Sequence, residues 1–255
     1  MNLKKRLNII TINFILLTFA TTAFARAILF QDPAHLAIVY RGDDKVDIGI
    51  PDTVRDASNA EVTAFLMGGL IAESIVKHKY NPEAAKSNSV QQKSLDAALM
   101  GWSAADVLHS YLLKNMTTLN SNISLATVVP STENFPATTR EFYANGKKDY
   151  SKQEAAYDYT SLSLRGITTV MEVSSYSYMT PNGNKKDAPT VFVQARMIDL
   201  PTSSVLEKKQ ITVGGTNKNR DTFEKFIENN GVLAKSSFEA LAKDASVNLV
   251  AKLKE

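Results

Sequence analysis

Three β-rich runs stand close together late in the chain, and an amphipathic stretch follows them. Ile167 to Tyr178 is β-branched and aromatic with partial alternation, Thr190 to Leu200 reads TVFVQARMIDL, and Val205 to Val213 reads VLEKKQITV. The links are turn chemistry, Pro181-Asn182-Gly183-Asn184 and Pro201-Thr202-Ser203-Ser204. Strands this near in sequence and joined this tightly pair as an antiparallel meander. Gly214-Gly215 ends the run, and two helices are expected beyond it, a short one over Asp221 to Asn229 and a longer one over Ser236 to Lys254. In the longer one Phe238, Leu241, Ala242, Ala245, Leu249 and Leu253 fall on one stripe at helical spacing, so it has to lie across the sheet. Ser236 and Glu239 have the spacing of a capping box at its start. The expected class is α/β (α+β): a mixed sheet with a strand meander, flanked by helices and closed by an amphipathic C-terminal helix.

Upstream, His35 to Tyr40 and Lys45 to Ile50 are strand-like, and Arg41-Gly42-Asp43-Asp44 between them predicts a hairpin turn. Asp43, Asp44 and Asp47 read as a solvated turn rather than a cation site. The Arg-Gly-Asp tripeptide reads as turn residues rather than an adhesion signal. Ser58 to Lys79 predicts a helix with a Ser58/Glu61 capping box and a broad apolar face through Val62, Phe65, Leu66, Leu70 and Ile75. Glu73 and Lys77 interrupt that face, which favours core packing over membrane contact. Asn81-Pro82 breaks the chain and the polar stretch to Gln92 reads as a linker. Helices over Val90 to Met100 and Ser103 to Met116 meet at Gly101, with Leu95, Leu99, Val107, Leu108, Tyr111 and Leu112 as their stripe and Trp102 as a packing residue. Ile123 to Val129 predicts a strand, Ser131 to Lys148 an irregular polar stretch, and Ser151 to Arg165 a helix closing at Gly166. The expected organisation is a signal over 1–25, a hairpin and helices packing on the core over 26–120, and an α/β sandwich core over 121–255.

The first residues carry the compartment signal. Lys4, Lys5 and Arg6 form a positive start, Ile9 to Ala20 an apolar stretch, and Ala23-Phe24-Ala25 a signal-peptidase site, so the expected working chain begins at Arg26. The apolar stretch is shorter than the roughly 20 residues a membrane-spanning helix needs. Of the 29 Lys+Arg in the chain three lie in this segment, against none of the 26 Asp+Glu, so the processed chain is formally neutral. Neutrality argues against nucleic acid or anionic lipid as a partner. The chain has no cysteine, which excludes disulfides, thiolate metal sites, a cysteine nucleophile and a lipobox anchor. Asn115-Met-Thr117 and Asn122-Ile-Ser124 match the glycosylation sequon, which matters in a eukaryotic secretory route.

Catalytic motifs are sparse. His35, His78 and His109 fall in separate elements without ligand spacing, and HExxH, GxSxG, Walker and GxGxxG patterns are absent. Ser74-Ile-Val-Lys77 is an SxxK, the spacing that sets a lysine amine one helical turn from a serine hydroxyl in penicillin-recognising enzymes. Tyr143-Ala144-Asn145 echoes their Tyr-x-Asn element, but the strand-borne Lys-Thr-Gly is missing. No metal or cofactor is expected.

Residues 123–255 combine Gly166-Ile-Thr-Thr-Val-Met-Glu-Val173, Val193-Gln-Ala-Arg-Met-Ile-Asp199, a Thr-Ser-Ser-Val205-Leu206 turn into a strand, and a long terminal helix. This pattern resembles envelope proteins related to the curli-secretion lipoprotein and to the TolB N-terminal domain. The resemblance implies a mixed sheet flanked by helices and a non-catalytic role in assembling or anchoring envelope machinery. The expected function is a non-enzymatic, periplasmic or secreted envelope protein that binds another envelope protein through its sheet edge or loop tips. The alternatives are a serine hydrolase using Ser74 and Lys77, and a small-ligand carrier.

Overall fold

The computed structural model describes residues 32–49, 82–130, 133–144, 147–180, 186–215 and 220–254. The expected signal over 1–25 and the expected helix over 58–79, with Ser74, Lys77 and His78, lie outside the described residues. The elements in chain order are β1 (Leu36–Ile48), α1 (Pro82–Ala98), α2 (Ala104–Leu119), β2 (Thr127–Val129), β3 (Ala137–Ala144), β4 (Lys147–Tyr157), α3 (Thr160–Ser163), β5 (Thr169–Thr180), β6 (Ala188–Asp199), β7 (Ser204–Gly214) and α4 (Phe223–Lys252). Five strands form one open mixed sheet in the order β2-β1-β5-β6-β7, and β3 and β4 pair separately.

The expected meander is present. β5, β6 and β7 pair antiparallel over nearly their whole lengths, from Thr169↔Asp199 to Thr180↔Ala188 and from Thr190↔Gly214 to Asp199↔Ser204. β6 is buried from Ala188 to Ile198, which accounts for its nearly continuous apolar run. The stripe on α4 packs as expected, with Phe238, Leu241, Ala242, Ala245, Leu249 and Leu253 all buried against the sheet and helices.

The N-terminal hairpin does not form. Residues 36–48 are one strand, β1, lying parallel to β5 from Leu36↔Thr169 to Ile48↔Met179. The turn residues are absorbed as a bulge, since between Gly42 and Val46 four residues of β1 advance against two of β5, Ser175 to Ser177. A long partner strand arriving later in the chain outcompetes local turn chemistry. β1 also carries β2 on its other side, pairing parallel only at Ala37, Ile38 and Val39.

Three further expectations are corrected. The linker before Gln92 is helical, because Pro82 is the first residue of α1 rather than a break; a proline at a helix start has no N–H to leave unpaired. Residues 137–157, expected as an irregular stretch and then a helix, form the β3–β4 hairpin, and helix is confined to Thr160–Ser163. The strand expected over Ile123 to Val129 begins only at Thr127, after a 3-10 turn over Ser121–Leu125.

The break in α4 also falls elsewhere than expected. Glu228 is extended and Asn229, Asn230 and Gly231 have left-handed backbones, so the two helical pieces meet there. Gly231 is needed because a Cβ would sit 3.0 Å from the Ala98 carbonyl oxygen at the end of α1. The second piece therefore starts upstream of Ser236, whose Oγ donates to the Leu233 carbonyl at 3.1 Å instead of capping. The cap that does form is Ser103 on α2, accepting from the Asp106 N–H at 3.0 Å.

The sheet separates two cores. Helices α1, α2 and α4 cover one face, over Leu36, Ile38, Tyr40, Met171, Val193 and Met197. The opposite face carries a smaller cluster of Ala37, Val39, Val129, Phe135, Tyr159, Leu162, Ile167, Val170 and Ile198.

Candidate functional site

On the face away from the helices, the register places unlike residues in one cross-strand row. Val39 of β1 opposes Glu172 of β5, and Glu172 opposes Arg196 of β6. Both charged side chains are buried, at 1% and 8% exposure. The Arg196 Nε donates to Glu172 Oε1 at 2.7 Å, and its Nη2 donates to the same oxygen. The other carboxylate oxygen accepts the Tyr159 hydroxyl. Burial and the Glu172 carboxylate push the Tyr159 hydroxyl far above the usual phenol range, and Arg41 pulls it only partly back. Tyr159 therefore stays protonated and acts as a donor.

Arg41 extends this network. Its guanidinium lies 4.2 Å from the Tyr157 ring centroid, 4.8 Å from Phe135 and 5.8 Å from Tyr159, a three-ring cage with cation–π geometry. Its Nη1 donates to the Glu133 carbonyl at 3.1 Å and its Nε faces the Tyr159 hydroxyl at 3.5 Å, while the buried Nη2 has no acceptor among the described residues. The Glu133 side chain is held by Arg165 at 2.7 Å. Both Glu172 oxygens are occupied by donors and the phenol is held protonated. The cluster is built to fix strands and to hold charge in place.

Of the residues singled out in the sequence, Arg41 belongs to this cluster and is turned inward to its cage rather than out on a turn. Asp44 is exposed and Asp47 half-buried on β1. Among the described residues no group of three or more His, Asp or Glu side chains has metal-binding geometry. His35 bonds exposed Asp32 at 2.8 Å. His109 on α2 stacks on Tyr40 with ring centroids 3.8 Å apart, its buried Nε2 has no partner among the described residues, and burial pulls its pKa down to about 4. His35 and His109 thus lie in different environments. Trp102 is half-buried, 6.4 Å from the Phe238 ring, in the packing role expected of it. Asn115 is not presented to solvent as a sequon acceptor would be, because its Nδ2 donates to the buried Ser246 Oγ at 2.7 Å; Asn122 is exposed. Tyr143 falls on β3, and Asn145 lies outside the described residues. A shallow groove on α2 is lined by Ser110, Leu113, Lys114, Thr117 and Thr118.

Glu172, Arg196 and Tyr159 escaped sequence reading. A signal existed: Glu172 and Arg196 are opposite charges inside apolar strands, equidistant from the centre of the link between those strands.

The sheet edges form a second set of features. At β7 the Lys252 ammonium of α4 donates to the Gln210 carbonyl at 2.9 Å, and Glu207, Lys208 and Lys209 add charge to the strand. At β1, beyond β2, the amide of Gln92 on α1 bonds Ile48 N and Val46 O, each at 2.8 Å. The edge of β2 differs: Val128 is 44% exposed and Leu125 just before it 62% exposed. Leu164, 91% exposed, sits in a turn whose neighbours Leu162 and Ile167 pack in the same cluster as Val129.

No family model matches the chain, and no curated protein matches it. Solved structures with partial likeness include a Xanthomonas campestris protein of the DUF330 family, 11% identical, covering 85% of this chain and 81% of that one, with a TM-score of 0.36. A candidate lipoprotein from Caulobacter crescentus is 9% identical over 59% of this chain and 80% of its own, with a TM-score of 0.28. A candidate neuraminyllactose-binding hemagglutinin homolog from Helicobacter pylori is 10% identical over 88% and 84%, with a TM-score of 0.28. No helix among the described residues is long and apolar enough to cross a membrane.

Proposed function

We propose that the chain is an exported, non-enzymatic envelope protein that binds another envelope protein, and that the β2 edge is its contact. The observation that carries this reading is the contrast between edges. β7 and the far part of β1 have edge carbonyls or amides engaged by helix side chains, whereas β2 has exposed Val128 and Leu125 beside it. Exposed apolar side chains along a strand edge suit strand addition by a partner, with backbone bonds supplying affinity and the side chains specificity. Export rests on Lys4 to Arg6, the apolar stretch and Ala23-Phe24-Ala25.

A photo-crosslinking residue at Val128, expressed in the intact cell, should capture one envelope protein. The same residue at Val232, 61% exposed on α4, should not. Equal capture from both positions, or none from Val128, overturns the reading. Intact mass should place the N-terminus at Arg26 in a periplasmic or secreted fraction. Labelling by a fluorescent penicillin or fluorophosphonate that disappears in Ser74→Ala would replace the binding reading with the hydrolase one.

A further inference from the structure

The outer edge of β1 shows a different arrangement. Past Val39, β1 continues to Ile48 with no strand paired on that side among the described residues. Gly49 N–H donates to Met179 O on β5 at 2.8 Å, and alternation along the strand then turns Val46 O and Ile48 N outward. Gln92 meets both, accepting from Ile48 N through Oε1 and donating to Val46 O through Nε2. One acceptor and one donor at alternate residues is what a neighbouring strand would present. The second Nε2 hydrogen goes to Asp96 Oδ1 at 2.8 Å, which fixes which end of the amide faces which backbone group. Val90 and Lys93 are exposed, and Leu95 is wholly buried about one turn further on, so Gln92 anchors the second half of α1 to the sheet.

We propose that Gln92 acts as an edge guard, occupying a pairing site on β1 that would otherwise take a second copy of this chain. The sequence of the edge is self-complementary. In an antiparallel two-fold pairing centred on Val46, Lys45 of each copy opposes Asp47 of the other, and opposite charges facing across strands favour pairing. Val46 and its counterpart would then exchange backbone bonds and Ile48 N would bond the other copy's Asp44 carbonyl, so the pairing needs both Val46 O and Ile48 N, the two groups that Gln92 holds in the single chain. An edge left without a guard is a template for such pairing.

The test uses the processed chain from Arg26 and variants at Gln92, read by sedimentation and by amide hydrogen exchange. Wild type should sediment as a monomer with the Ile48 amide protected. Gln92→Ala should lose that protection at low concentration by at least tenfold, keep protection at Gly49, and dimerise as concentration rises. Lys45→Asp in that background sets like charges opposite one another and should abolish the dimer; adding Asp47→Lys should restore it. If Gln92→Ala does not fold, Gln92→Glu keeps the acceptor for Ile48, loses the donor for Val46, and should show the same trend. A folded variant that stays monomeric, or a dimer indifferent to the charge exchange, overturns the proposal.

Discussion

Replacing Arg196 by methionine tests how the buried cluster is held. The guanidinium makes two bonds to one oxygen of Glu172, and Glu172 is 1% exposed. Methionine fills much of the arginine stem volume but leaves the carboxylate without its cation. Two unit charges about 3.5 Å apart attract by roughly 5 kcal/mol at an effective dielectric near 20. Desolvating both charges offsets most of that gain, so the pair adds little relative to an apolar pair. Removal of one partner, however, exposes the full cost of the other, about 3–5 kcal/mol. With a urea slope of roughly 2.5 kcal/mol/M, the unfolding midpoint should fall by about 1–2 M. Glu172→Gln with Arg196→Met removes both charges and still offers the Tyr159 hydroxyl an acceptor. That double variant should sit within about 1–2 kcal/mol of wild type, far better than the sum of the single changes. Urea unfolding followed by circular dichroism gives all three values. Single costs under about 1 kcal/mol, or a double cost equal to the sum, would refute the reasoning.

Leu241→Ala and Leu249→Ala remove side chains that are 3% and 0% exposed on α4 and should each cost about 2–5 kcal/mol in the same assay. Gly214→Ala should cost about 3 kcal/mol, because its φ is +112° and a Cβ would lie 2.3 Å from the Pro189 carbonyl oxygen; a melting point equal to wild type would count against that turn. His109 has a folded pKa of about 4, below its ordinary value near 6.5, so the folded state binds fewer protons than the unfolded one. Stability should be unaffected by this group above about pH 6.5 and fall as pH drops through that window toward 4. His109→Phe keeps a ring on Tyr40 and should flatten that part of the profile, and an unchanged slope would show that His109 is solvated.

The legible parts of the fold were those where local pattern and tertiary context agree. The β5-β6-β7 meander followed from short polar links between apolar runs, and the α4 stripe from a helical period lying wholly beyond the kink at Glu228–Gly231. The failures share a cause. Arg41 to Asp44 have turn chemistry, yet β5 offers β1 a full parallel ladder and the extra residues fold into a bulge. Parallel partners lie across a long crossover, so no local signal marks them. Residues 137–157 are polar enough to read as an irregular stretch and then a helix, and their hairpin pairing is a property of the two strands together. Ser236 and Glu239 have capping-box spacing, but a cap acts only where a helix begins, and the left-handed turn of Asn229 to Gly231 places that beginning earlier.

The cluster and the guarded edge were less legible, for a related reason. Arg41, Tyr159, Glu172 and Arg196 come from β1, the segment before α3, β5 and β6, and each is unremarkable in its own neighbourhood. Charge inside an apolar strand is the one clue, because an unpaired buried Glu or Arg would destabilise the sheet by several kcal/mol and a partner must therefore exist. That argument predicts that some pairing occurs and leaves its identity to the register, since a shift of one residue would turn Glu172 to the helix-covered face. Gln92 gave still less warning. A polar residue in the middle of a helix is common, and its significance rests on two backbone groups of a strand far earlier in the chain. What distinguishes it is the satisfaction of Val46 O, Ile48 N and Asp96 by a single amide. Each of these features is a demand made by the sheet, for a counter-charge in one case and for a neighbour at its edge in the other. A sequence states such demands only after the strand order is known.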